Sequence, residues 1–172
     1  GSSFFYNSFT NKSKDNGNIN LSSINPGNIG AFFIPKGKSL NLISDSYICS
    51  TPNLRITTNV KFGGFLLGYG LTFVHIEATE SNGVVWISSF GNIIEKKIKP
   101  NDSIKIDNGI IIGFQDDTPI KSNFVGGITS TLFSGEGLVS KIENNGKKNI
   151  KMYVQSRSKI AYLNYIKSKI KW

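Results

Sequence analysis

Few side chains in this 172-residue chain are of the types that commonly do acid, base or nucleophilic chemistry. His75 is the only histidine and Cys49 the only cysteine. A serine or cysteine triad would need His75 as its base. The segment around it is typical of a β-strand, with Phe73 and Glu77 on the same face as the imidazole. We therefore predict a strand histidine that is paired with Glu77 or half exposed.

Two adjacent carboxylates, Asp116 and Asp117, are the other candidates for acid–base chemistry or cation binding. Neighbouring side chains of a strand point to opposite sides, whereas in a turn they usually accept hydrogen bonds from backbone N–H groups. We therefore predict a turn at this pair. Glu136, which lies between Gly135 and Gly137, has the same interpretation.

Metal and cofactor sites have little support in the sequence. One histidine and one cysteine supply neither the ligand cluster of a cupin-type metal enzyme nor a cysteine-rich zinc site, and they exclude a disulfide framework. A Gly-x-Gly at Gly68 recurs at Gly135, but neither copy has the surroundings of a phosphate-binding loop. We predict a protein that is not an enzyme, with no cofactor, no metal and no evident small-molecule substrate.

Charge is the feature that points most directly to a partner. The chain has 20 Lys and Arg against 11 Asp and Glu, a net charge of +9. Residues 1–140 hold 11 of the basic and 10 of the acidic residues, so nearly all of the net charge lies in residues 141–172. The candidate contact residues of this basic end are Lys147, Lys148, Lys151, Arg157, Lys159, Lys167, Lys169, Lys171 and Trp172.

Three interpretations of the basic end remain open. Lysine-rich ends are most often simply solvated. A basic amphipathic segment is also typical of contact with an anionic membrane surface or an acidic protein. Lysines interleaved with Tyr153, Tyr162 and Tyr165 fit nucleic acid as well, and we rank that partner last.

The elements that must carry these residues are predicted to be strands. Charged residues make up only 18% of the chain, and 18 glycines stand against 5 prolines, which favours an all-β domain with many turns. Apolar or alternating runs predict strands at 55–62, 71–79, 84–89, 103–106, 110–114, 138–143 and 150–156. Turns with positive φ are predicted at Asn82-Gly83, Asn108-Gly109 and Asn144-Asn145-Gly146.

Internal matches predict a duplication. Residues 39–42 resemble 103–106 at an offset of 64, and residues 86–89 resemble 153–156 at an offset of 67. Two such units, at about 34–89 and 98–156, imply one pseudo-symmetric sandwich or barrel.

The chain divides into three parts in this interpretation. Residues 1–30 are an irregular lead-in, 31–158 a single duplicated β domain, and 159–172 a basic C-terminal segment. In the last part Ser158 is placed to cap a short helix with Ile160, Leu163, Ile166 and Ile170 on one face. The alternation of lysines after residue 166 is the argument for a strand instead; we favour the helix.

Four segments of the chain resemble the altered inheritance of mitochondria protein 24 family. They are residues 83–87 (Gly-Val-Val-Trp-Ile), 103–109 (Ser-Ile-Lys-Ile-Asp-Asn-Gly), 132–138 (Leu-Phe-Ser-Gly-Glu-Gly-Leu) and 154–158 (Val-Gln-Ser-Arg-Ser). The motif residues are Gly135, Glu136, Gly137, Gln155, Ser156, Arg157 and Ser158. The resemblance covers residues 34–158 and is strongest from residue 83 onward.

The resemblance implies a double-stranded β-helix-like domain related to the tryptophan RNA-binding attenuation protein, with no known catalysis. It also implies a role in mitochondrial membrane organisation or biogenesis. We expect a non-enzymatic scaffold that self-associates and contacts protein or an anionic membrane surface. The expected compartment is intracellular: mitochondrial in a eukaryote and cytoplasmic in a bacterium. A ring-forming nucleic-acid-binding protein is the alternative, although a shared fold does not carry function.

Overall fold

The computed structural model describes residues 6–59, 73–115, 132–133 and 137–170, and within them the chain is mostly β-strand. The strands are β1 (Ile29–Ile34), β2 (Ser39–Ile43), β3 (Tyr47–Ser50), β4 (Arg55–Asn59), β5 (Phe73–Glu77), β6 (Gly83–Ser88), β7 (Ile93–Ile98), β8 (Ser103–Asp107), β9 (Ile111–Gln115), β10 (Leu132–Phe133), β11 (Gly137–Glu143) and β12 (Ile150–Gln155). The all-β prediction is confirmed. Residues 60–62 and 71–72 of two predicted strands lie outside the described ranges.

The described strands form three antiparallel sheets. The largest has six strands in the order β4-β5-β2-β9-β12-β7, and two three-stranded sheets have the orders β1-β6-β3 and β10-β11-β8. The pairing of β2 with β9 is what makes the central sheet continuous, because it joins β4-β5-β2 to β9-β12-β7.

Each three-stranded sheet packs on one face of the six-stranded sheet in a sandwich-like arrangement. One apolar cluster joins the central strands to the sheet β1-β6-β3; it includes Leu40, Leu42, Val74, Ile76, Ile34, Val85 and Ile87. A second cluster lies on the other face against β8 and β11; it includes Phe114, Met152, Val154, Ile98, Ile106 and Ile142. Alternation along β2, where Leu42 belongs to the first cluster and Ile43 to the second, lets one strand serve both.

Strand registers recur along the chain at the offsets found in the sequence. Ile29 pairs with Ser88 in β1 and β6, and Ile93 pairs with Gln155 in β7 and β12, at offsets of 64 and 67. Each half also has a short 3-10 turn, Ser44–Ser46 after β2 and Asn108–Ile110 after β8. The two halves therefore share one topology. Their origin by duplication stays a prediction.

The predicted positions of positive φ are wrong. Among the described residues the positive values are those of Gly37 (75°), Gly91 (85°) and Asn101 (63°). Gly37 and Asn101 are 64 residues apart and occupy the same turn of the two halves, after β1 and β7. Gly83 instead begins β6, where a Cβ would collide with the side chain of Leu54. Glycine is needed at position 83 because the neighbouring side chain packs closely there, and not because the backbone is left-handed.

The C-terminal segment is a helix, as favoured, and the strand interpretation is wrong. Helix α1 spans Lys159–Lys169, and the Ser158 hydroxyl accepts a hydrogen bond from the N–H of Ala161 at 3.2 Å. This N-cap satisfies one of the free donors of the first turn. Lys167 and Lys169 lie in the last turn, where the helix dipole favours positive charge.

Gly113 supplies a test of the β2–β9 junction. It pairs with Leu42, and a Cβ there would overlap the carbonyl oxygen of Asn41. We expect Gly113→Ala to lower the free energy of unfolding by about 3 kcal/mol or more, because backbone atoms cannot move aside as side chains do. Urea denaturation measures this.

Gly17→Ala is the matched control, since a methyl group at Gly17 would meet only the side chain of the exposed residue Asn11. It should unfold like the wild-type protein. A Gly113→Ala variant with an unchanged urea midpoint would contradict the importance of this junction.

Candidate functional site

The only histidine is held by a neighbouring strand. His75 Nδ1 lies 3.0 Å from Oδ1 of Asn41, which is buried, and the two residues stand opposite each other in β5 and β2. Glu77 instead pairs with Arg55, its register partner in β4. The predicted pairing of His75 with Glu77 is therefore wrong, while the expected partial exposure is found. His75 is therefore a hydrogen-bond partner of the buried side-chain amide of Asn41.

Several residues considered for chemistry lie outside the described ranges. They are Gly68, Asp116, Asp117, Gly135, Glu136, Lys171 and Trp172. Within the described part of the chain, no three His, Cys, Asp or Glu side chains are grouped so that they could hold a metal ion. No helix in those same ranges is long and apolar enough to span a bilayer.

The glutamine of the Gln-Ser-Arg-Ser motif connects the two halves of the molecule. Its side chain is nearly inaccessible. Gln155 Oε1 accepts a hydrogen bond from the N–H of Phe90 at 2.9 Å, and Nε2 donates to the carbonyl of Gly109 at 2.9 Å. Because a buried unpaired backbone group is costly, a residue with one donor end and one acceptor end suits this position.

The two serines of the motif also satisfy backbone groups. Ser156 Oγ accepts from the N–H of Asn92 at 2.8 Å, and Ser158 caps α1. Arg157 is exposed, and its side chain lies next to Gly91. Three of the four motif side chains thus position the chain, and Arg157 alone is available to a partner.

The structure divides the predicted basic contact surface into two. Lys147, Lys148 and Lys151 lie at the start of β12, whereas Arg157 and Lys159 follow its end. A strand of six residues separates them by about 20 Å. The basic end is therefore two surfaces.

The first surface, here called the basic edge, contains lysines that were not predicted. It consists of Lys97, Lys99, Lys147, Lys148 and Lys151. Lys97 of β7 stands directly opposite Lys151 of β12. Lys97 and Lys99 were missed because they belong to the neutral part of the sequence and join the surface only through strand pairing.

A buried asparagine holds the basic edge together. Asn144 Nδ2 donates to the carbonyls of Ile98 at 2.7 Å and Lys148 at 2.8 Å, and its Oδ1 accepts from the N–H of Gly146 at 3.0 Å. These bonds fix the turn before β12 against the end of β7. Carboxylates are close by: Glu95 pairs with Lys97 at 3.3 Å. The basic edge is therefore only moderately positive.

The second surface, here called the helix surface, is α1 itself. None of its residues is buried, and Tyr162, Leu163 and Tyr165 are 47%, 47% and 59% exposed. Its sequence contains Lys159, Lys167 and Lys169 and no carboxylate.

Two side-chain contacts attach the first half of the helix to the body of the protein. Tyr162 packs on Phe90 with ring centroids 5.3 Å apart, and Lys159 pairs with Asp45 at 3.6 Å. Both partners of that ion pair are partly exposed, so it contributes little to stability. The helix therefore combines positive charge with apolar side chains that remain partly in water.

Comparison with known proteins agrees with this architecture. A model of the family described as "Mitochondrial biogenesis AIM24" matches residues 1–157. A crystal structure of a Streptococcus pyogenes protein superposes with a TM-score of 0.60 at 17% sequence identity. The alignment covers 87% of this chain but 63% of that protein, so the chain spans less than two thirds of its length. At that identity the likeness shows the fold alone. A comparison with curated proteins found no match.

Asn144 is the testable support of the basic edge. Asn144→Ala removes three hydrogen bonds and leaves one buried and two partly buried backbone groups without this partner, so we expect a loss of about 2–3 kcal/mol in unfolding free energy. An alanine fits the turn, because Ala78 occupies the corresponding place in the first half. Urea denaturation is the measurement.

The neighbouring exposed residue provides the control. Asn145→Ala should change the unfolding free energy by less than about 0.5 kcal/mol. Equal stabilities for the two variants would show that the hydrogen bonds of Asn144 do not hold this turn.

Proposed function

The chain belongs to the family described as Mitochondrial biogenesis AIM24, and from this premise we propose that it is a non-enzymatic β scaffold for membrane organisation or biogenesis. It acts through contacts with an anionic membrane surface or with protein partners. Its compartment is mitochondrial in a eukaryote and cytoplasmic in a bacterium.

The helix surface is the observation that carries this proposal. An isolated helix of 11 residues is marginal in water, and most helices are stabilised by burying an apolar face. Here Tyr162, Leu163 and Tyr165 stay 47%, 47% and 59% exposed. Placing these side chains at the boundary between lipid headgroups and acyl chains removes apolar area from water, which is favourable.

Charge supports the same partner. Each lysine near an anionic leaflet contributes about 1 kcal/mol of attraction. Lys159, Lys167 and Lys169 of α1 have no carboxylate on their own helix, although Lys159 pairs with Asp45. The basic edge is weaker in this respect, because Glu95 pairs with one of its lysines, Lys97. We therefore assign the main contact to the helix surface and a secondary one to the basic edge.

Self-association is the second part of the proposal. Ile29 and Phe33 both lie on the outer side of β1 and are 52% and 62% exposed. The half-buried side chains of Val84 and Trp86 lie beside them on β6. Exposed neighbouring apolar side chains of this kind are typical of protein contacts. A homo-oligomer would cover them.

The alternative function is single-stranded nucleic-acid binding by a ring-forming relative of the tryptophan RNA-binding attenuation protein. The observation in its favour is Tyr165, whose exposed ring lies 5.7 Å from the ammonium of Lys169. Bases stack on such rings, and lysines neutralise phosphates. For binding of this kind, the logarithm of the binding constant would fall linearly with the logarithm of the salt concentration. The slope would correspond to several released counterions.

A vesicle-pelleting assay tests the membrane contact. We expect the full chain to pellet with vesicles of 30% phosphatidylglycerol in phosphatidylcholine and not with pure phosphatidylcholine. Deleting residues 159–172 should remove most of the pelleting and leave only the weaker contact of the basic edge. Lys167→Glu with Lys169→Glu should weaken it by about tenfold or more, because four units of charge change on the helix surface.

The control places the same charge change elsewhere. Lys12→Glu with Lys14→Glu alters two exposed lysines of the lead-in and should leave binding nearly unchanged. Unaltered pelleting after the deletion would overturn the membrane contact. Retention of a 20-nucleotide single strand on filters at low salt, lost in the deleted chain, would favour the alternative.

A further inference from the structure

A cavity of about 150 Å³ opens between the end of β1 and the central sheet, apart from the basic edge and the helix surface. The lining side chains used below are Phe32, Phe33, Lys38, Leu40, Gln115 and Tyr153. The first four come from the first half of the chain and the last two from β9 and β12. The cavity therefore exists because β2 pairs with β9 and brings the second half beneath β1.

The size and walls of the cavity fit one small apolar group. An apolar cavity of about 150 Å³ can hold a benzene molecule, whereas drug-sized sites begin near 300 Å³. Phe32 and Tyr153 form one wall, with ring centroids 4.7 Å apart and the rings nearly perpendicular. Leu40 is buried and adds an aliphatic surface. A six-membered ring or a branched chain of four or five carbons matches this space.

The polar groups of the cavity are hydrogen-bond donors or can act as donors. Tyr153 is only 5% exposed, and its hydroxyl lies 3.5 Å from Nε2 of Gln115. Burial, together with the charge of Glu95, raises the pKa of Tyr153. A phenol is protonated at neutral pH even without such a shift, so the hydroxyl can donate a hydrogen bond. The carboxylate of Glu95 is itself paired with Lys97.

A positive charge completes the set of groups. Lys38, on the turn that leads into β2, is exposed and lines the cavity. Apolar walls with phenol, amide and ammonium donors match a ligand with an apolar body and an anionic acceptor.

We propose that this cavity is a binding site for a small carboxylate with an aromatic or branched aliphatic body. The body packs on Phe32, Leu40 and the ring of Tyr153. The carboxylate accepts hydrogen bonds from the Tyr153 hydroxyl and the Gln115 amide, and Lys38 supplies the compensating charge.

The corresponding strand of the second half shows that the fold does not require this apolar wall. Phe32 and Phe33 of β1 occupy the register positions that Lys96 and Lys97 occupy in β7. A lysine is therefore compatible with these positions of the fold. Phe32 is nevertheless aromatic, and its ring packs on Tyr153 to form an apolar wall that the fold itself does not require.

Ligand-observed NMR on the full chain, with titration of benzoate and 3-methylbutanoate, tests the site. We expect dissociation constants on the order of 0.1–1 mM, as suits ligands of seven to nine heavy atoms. Benzyl alcohol and benzylamine, which have the same ring without the carboxylate, should bind at least about tenfold more weakly.

Three conservative variants locate the site. Tyr153→Phe keeps the ring and removes the hydroxyl, so we expect about tenfold weaker benzoate binding with an unchanged circular dichroism spectrum. Lys38→Gln should weaken binding severalfold. Lys36→Gln is the matched control: it removes a charge from the same turn but does not line the cavity, and its affinity should equal that of the wild-type protein.

Each other outcome overturns a defined part of the proposal. Equal binding of benzoate and benzyl alcohol would overturn the selection of a carboxylate. Equal losses in Lys38→Gln and Lys36→Gln would show general charge attraction instead of a site. No binding of any probe at 10 mM would overturn the cavity as a ligand site, whatever the vesicle assay shows.

Discussion

The pairing of β2 with β9 is the constraint on which the rest of the structure depends. It joins two three-stranded halves into one six-stranded sheet, with Asn41 opposite Phe114 and Leu42 opposite Gly113. The backbones approach so closely there that position 113 has no room for a side chain. One apolar cluster then forms on each face of the joined sheet, and each cluster contains residues from both halves.

Buried amides hold the connections around this sheet. Gln155 joins the loop at Phe90 to the turn at Gly109, and Asn144 joins the end of β7 to the turn before β12. Each amide has both donors and an acceptor, so it can satisfy backbone groups of different elements at once. The motif around Gln155 is therefore structural, and the surfaces proposed for contact lie at its borders, on α1 and along the edge of β7.

Local patterns predicted part of the local structure. Alternation or apolar runs predicted seven of the strands but not β1, β2, β3 and β7, and α1 followed from a capping serine before regularly spaced apolar residues. Contacts between elements were harder to predict. Side chains two residues apart in one strand lie nearly 7 Å apart, whereas cross-strand partners are about 5 Å apart. His75 therefore bonds Asn41 on the neighbouring strand, and Glu77 pairs with Arg55.

Composition and periodicity by themselves determined that the chain is an all-β domain, because the alternation that makes a strand depends on neighbours in the sequence. They predicted two similar halves, and they favoured a C-terminal helix over a strand. Only the tertiary structure decided which distant residues share a surface. Pairing of β7 with β12 added Lys97 and Lys99 to the basic edge. The length of β12 separated that edge from α1, and the β2–β9 junction placed Tyr153 and Gln115 beside Phe32. Strand order and register set these distances, and both are fixed by packing across the whole sheet.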